Sequence, residues 1–129
     1  MNRLAVAILI FVSIFAYSKP CQGIQQAISP SRKAKLEPAI AKQLNLEKVV
    51  VNRIFQKGAW YIIHVGTYSS DDRFLFYHGD PLTSLFITEW GGVAARHEGN
   101  EIMQWAKLNA KGIPDQLAAC FARFVTRGL

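Results

Sequence analysis

The chain has 129 residues, half of them apolar and 19% charged, with fifteen lysines and arginines against nine acids and two cysteines. A length of this order holds one domain, with no room for a cofactor domain beside a substrate domain. The composition excludes a disordered tail, a collagen-like repeat and a disulfide-dense mini-protein.

Residues 1–18 read MNRLAVAILIFVSIFAYS: one cation, Arg3, then an apolar run from Leu4 to Phe15 broken only by Ser13. Ala16-Tyr17-Ser18 then places small residues at the third and first positions before a cleavage point, the three-part pattern of a secretory signal peptide. A dozen apolar residues fall short of the ~20 a membrane-spanning helix needs, which disfavours an uncleaved anchor. Ser18-Lys19-Pro20 lacks the apolar and small residues that acylation at Cys21 would require. The expected organisation is a signal peptide over 1–18 and a single exported domain over 19–129, periplasmic or extracellular, with no stable membrane span after cleavage.

Charge is uneven along that domain. Residues 19–57 hold eight cations and only Glu37 and Glu47 as anions, whereas residues 58–129 are close to neutral. Such a run is most simply a solvated helix face, or else a landing strip for an anionic protein or envelope polymer. Nucleic acid is not expected as a partner, since no recognition motif is present.

In chain order, Ser29-Pro30 and Glu37-Pro38 each offer a helix start, and Leu36, Ile40 and Leu44 recur every fourth residue. These predict a loose turn followed by a short amphipathic helix over 38–45. Strands are predicted over Lys48–Gln56, Ala59–Thr67, Arg73–His78 and Leu85–Trp90, separated by Lys57-Gly58, Tyr68–Asp72 and Gly79-Asp80-Pro81. The short connectors make the sheet an antiparallel meander, because parallel neighbours need crossovers of a dozen residues or more. Asn100 caps a helix carrying Ile102, Trp105 and Ala106, and Gly112 closes it. Pro114-Asp115 opens another, whose Leu117, Cys120, Phe121, Phe124 and Val125 form the clearest amphipathic face in the chain. The fold class is α+β: a four-stranded antiparallel β-meander preceded by one short helix and followed by two helices.

The strands do not alternate cleanly, for Trp60-Tyr61-Ile62-Ile63 and Phe74-Leu75-Phe76-Tyr77 are apolar on both faces. Either helices cover both faces of the sheet, or one face stays open as an aromatic surface for a partner or a second copy of the chain. On the second reading Trp60, Tyr61, Tyr77 and Trp90, with Asp72 and Asp80 in the adjoining turns, are the candidate binding residues.

No catalytic constellation, metal motif or cofactor fingerprint stands out. His64, His78 and His97 lack the spacing of a zinc pair, and Asp71, Asp72 and Asp80 sit in turns that favour aspartate for local hydrogen bonding. Trp90-Gly91-Gly92 permits a bulge, a close backbone approach or simply a strand-ending bend. In an oxidising compartment Cys21 and Cys120 are expected to pair, closing a loop of about a hundred residues worth about 4–5 kcal/mol in the chain-entropy picture. A buried free thiol at Cys120, on the apolar helix face, is the alternative. The functional expectation is a small exported binding protein that recognises a protein partner, of inhibitor or immunity type. Its alternatives are an envelope module holding a small ligand or anionic polymer between sheet and helix, or a small hydrolase using Asp71, Asp72 or His78.

Overall fold

The computed structural model describes residues 19–128; the expected signal peptide lies outside the described residues. Helix α1 (Pro30–Gln43) leads into strands β1 (Val49–Lys57), β2 (Trp60–Thr67), β3 (Arg73–His78) and β4 (Thr88–Gly91), followed by helices α2 (Gly99–Asn109) and α3 (Asp115–Arg127). The strands form one antiparallel sheet in the order β1-β2-β3-β4. This is the expected α+β meander, one helix before it and two after.

Helices cover both faces, which accounts for strands apolar on both sides. Leu36, Ile40 and Ala41 of α1 pack with Val51, Ile54, Ile63, Leu75 and Tyr77 on one face. On the other, Ile102 and Ala106 of α2 and Leu117, Cys120 and Phe121 of α3 pack with Phe55, Trp60, Ile62, Phe74 and Phe76. Alternate residues of β2 and β3 therefore feed two separate cores.

Three differences from the sequence reading have physical causes. Helix α1 is continuous through Pro38 rather than starting there, its entry fixed by Ser29, whose hydroxyl accepts the Arg32 N–H at 3.1 Å. The fourth strand begins at Thr88 instead of Leu85, since the Ile87 N–H bonds the Phe76 carbonyl only where the loop after Pro81 reaches β3. In β1 the register slips between Val51 and Arg53. That bulge leaves Val51 and Ile54 in the α1 core while turning Arg53 and Phe55 toward α3.

Cys21 and Cys120 form a disulfide, their Cα atoms 4.6 Å apart, which ties the segment before α1 to the middle of α3. Among the described residues no helix is long and apolar enough to cross a membrane.

Candidate functional site

The two ends of the sheet carry different features. At one end the β2–β3 turn, the start of β1 and the end of β4 come together; at the other lie the β1–β2 turn and the departure of the loop 79–87.

At the first end, β2 holds His64 against the ring of Phe74 on β3, centroids 4.3 Å apart and nearly parallel. The Asp72 carboxylate lies 3.1 Å from His64 Nε2, and the Phe124 ring meets the imidazole edge-on. The bulge brings Arg53 beside His64, its guanidinium 5.0 Å from the Phe124 centroid and donating to Gln26 Oε1 at 3.1 Å. Burial lowers the His64 pKa and Arg53 adds to that, while the charge and hydrogen bond of Asp72 oppose it. The imidazole is therefore neutral at pH 7, with Nε2–H donating to Asp72 and Nδ1 left as an acceptor.

Trp90 on β4 faces the same space, packing edge-on against Phe74 and Phe121. Gly91 ends the strand and Gly92, at φ +112°, turns the chain across the opening in a conformation other residues rarely adopt. The result is a cleft of about 400 Å³ with aromatic walls, the His64–Asp72 pair along one side and the wholly exposed Val93 at its rim. Among the described residues no hydroxyl or thiol hydrogen-bonds His64, and no three metal-binding side chains converge.

Beside the cleft, β4 is the last strand of the sheet and has no neighbour on its outer side among the described residues. Four of the six large apolar residues exposed in the described structure, Leu82, Leu85, Ile87 and Val93, lie on the segment that carries this strand. Leu85 is 77% exposed and Ile87 50%. Their loop is fastened to α1: Gln43 Nε2 donates to the carbonyls of Pro81 and Ser84 at 3.1 and 3.2 Å, and the Tyr77 hydroxyl donates to Gln43 Oε1 at 2.8 Å. Asp80 adds an ion pair with Arg32 at 3.2 Å and accepts the Leu82 N–H. That N–H, more than Arg32, holds the Asp80 carboxyl below its ordinary pKa.

The six candidate residues thus separate. Asp72 and Trp90 meet at the cleft. Trp60, 8% exposed and stacked on His78, and the fully buried Tyr77 belong to the two cores. Tyr61 is half-buried, its hydroxyl accepting from Gln56 at 3.0 Å, and Asp80 acts as a tie for the loop. His64 and Phe124 join them in the cleft lining, and Arg53 stands behind His64, a placement that depends on a bulge without a sequence signature of its own. Leu85 and Ile87 alternate with Phe86 and Thr88 in an ordinary strand pattern, and only the absence of a covering helix distinguishes them.

No protein-family model, no curated protein and no solved structure matches this chain.

Proposed function

We propose that this chain is a small exported binding protein that captures a protein partner, of inhibitor or immunity type, on the β4 edge and the cleft beside it. The carrying observation is the gathering of exposed aliphatic side chains on the segment 82–93 around an open strand edge. Unpaired backbone groups along such an edge offer hydrogen bonds to an extended segment of a partner, and the flanking aliphatics supply apolar contact. The ties from Gln43, Tyr77 and Arg32 fix the loop before binding, which reduces the ordering cost that a mobile loop would incur. The Cys21–Cys120 disulfide supports an oxidising, exported location.

The test is affinity capture from the native envelope fraction with the exported form of the full chain as bait. One saturable protein partner is expected, lost with Leu85→Lys/Ile87→Lys and kept with Lys33→Gln. Both substituted positions are exposed, so the variants retain their far-UV spectrum. Equal capture by the double variant, or no saturable partner, overturns the proposal. A second copy of the chain is the competing occupant; sedimentation would then show a dimer that the double variant abolishes.

The cleft favours one other reading, an envelope module that holds a small ligand. Its volume of about 400 Å³ and its aromatic walls suit an apolar ligand with one hydrogen-bonding group; of the aromatic candidates Trp90 lines it, with His64, while Trp60 and Tyr77 do not. A ligand retained by the folded bait and released by Trp90→Ala, with no protein captured, would favour it.

A further inference from the structure

A second groove lies on the other flank of α3, between its C-terminal half and the turn of 3-10 helix, Arg96–Glu98, that precedes α2. Arg96 and His97 form one wall, and Arg123 and Arg127, one helical turn apart on α3, form the other. Asn100 adds a polar group and Met103 an apolar one. All three arginines are exposed, and among the described residues none lies within 4 Å of a carboxylate. Glu98 and Glu101 are near in sequence but make no ion pair with them.

The placement of these cations is uneven in a telling way. Arg127 and Arg123 sit toward the C-terminus of α3, where the helix dipole favours positive charge. Arg96 and His97 do not have that explanation: they stand just before the N-terminus of α2, the end at which a cation is disfavoured. Three exposed guanidiniums around one groove, none of them ion-paired among the described residues, concentrate positive charge there. An anion is the ligand such a concentration of charge would attract.

We propose that this groove binds a phosphate monoester. Three guanidiniums exceed what one carboxylate balances, whereas a phosphate monoester carries nearly two negative charges and three terminal oxygens that planar guanidinium forks engage in pairs. The groove, about 400 Å³, leaves space beyond the phosphate for the body of the ligand over Met103. This site is independent of the β4 edge, with which it shares no residue.

The experiment titrates the exported form of the full chain with glycerol 3-phosphate at constant ionic strength, and in parallel with phosphatidylcholine vesicles with or without phosphatidic acid. Arg96→Gln/Arg123→Gln/Arg127→Gln removes the groove charges. Lys33→Gln/Lys35→Gln/Lys42→Gln removes the same charge from α1. Saturable binding of glycerol 3-phosphate, weakened roughly tenfold or more by the arginine substitutions and within about twofold of the original after the lysine substitutions, supports a soluble ligand. The same pattern with phosphatidic acid vesicles alone supports the lipid headgroup as the source. No saturable binding to either probe overturns the proposal, as does equal weakening by both sets, which would make the effect one of net charge.

Discussion

His64 gives the clearest pH dependence at the scale of single residues. Its pKa is lowered by burial against Phe74 and Phe124, so between that value and the ordinary 6.5 the unfolded chain binds a proton the folded chain does not. Stability from this group is complete above about pH 6.5 and falls as the pH drops toward the folded pKa. Thermal unfolding from pH 7.5 to 5 should therefore show a slope that His64→Gln reduces. Asp72→Asn, which removes the opposing charge, should move the His64 proton titration, followed by NMR, to lower pH still. An upward movement would show that Asp72 does not act on the imidazole as its 3.1 Å contact implies. Tyr77 offers a second residue-level case. Burial raises its phenol pKa, and Tyr77→Phe keeps the ring but strips Gln43 Oε1 of its donor, at a cost of about 1 kcal/mol by urea unfolding. Tyr77→Ala empties a core position and should cost about 3–5 kcal/mol, so loss of partner capture in that variant would report unfolding, not a lost contact.

Among the elements, α1 carries an evident local penalty. Pro38 lies inside the helix, where it has no N–H to offer the Ala34 carbonyl. Its side is exposed, and Pro38→Ala should stabilise the protein by up to about 3 kcal/mol in urea unfolding, provided the regained Ala34 hydrogen bond forms without disturbing Leu36 and Ile40 beneath it. No gain would mean that the backbone around Pro38 is held by the packing of those two side chains rather than limited by the proline. The same residue limited what could be read from the sequence, since a proline after Glu37 resembles a helix start when the tertiary packing of Leu36 is not known. Strand positions were better marked, because Gly58, Gly79 and the polar run 68–72 break the apolar stretches at the turns. The bulge in β1 had no such mark. Val-Val-Val-Asn-Arg-Ile-Phe reads as an uninterrupted strand, and only pairing with β2 shows that Arg53 changes face and arrives beside His64. Hence Asp72 and Trp90 were visible as separate candidates, while the cleft they line was not.

Across the whole molecule, the two-sided apolar strands and the three amphipathic helices are one fact, since each sheet face needs its own cover. The charge distribution, in contrast, reorganises on folding. The basic surplus of residues 19–57 stays mostly on and around α1, while the groove lined by Arg96, Arg123 and Arg127 is assembled from the nearly neutral half of the chain. The disulfide joins the same distant parts covalently. Cys21 packs half-buried at the rim of the core beneath α2 and α3, and Cys120 is wholly buried within it, so the bond spans 99 positions of sequence. A crosslink over that separation restricts the unfolded chain by about 4–5 kcal/mol in the entropic account, a large share of the ~5–15 kcal/mol by which a domain of this size is stable. Cys21→Ser/Cys120→Ala should lower the urea midpoint accordingly. It should also raise the slope of the transition, because an unfolded chain without the crosslink exposes more surface. The packing lost at Cys120 is one sulfur atom and contributes to the midpoint but not to that rise in slope. A lower midpoint with unchanged slope would assign the stabilisation to the α3 core instead of the restricted chain. The expected pair of changes would assign the stabilisation to restriction of the unfolded chain, beside which the Gln25–Gln56 bridge is a separate, native-state tie of the segment before α1 to the sheet.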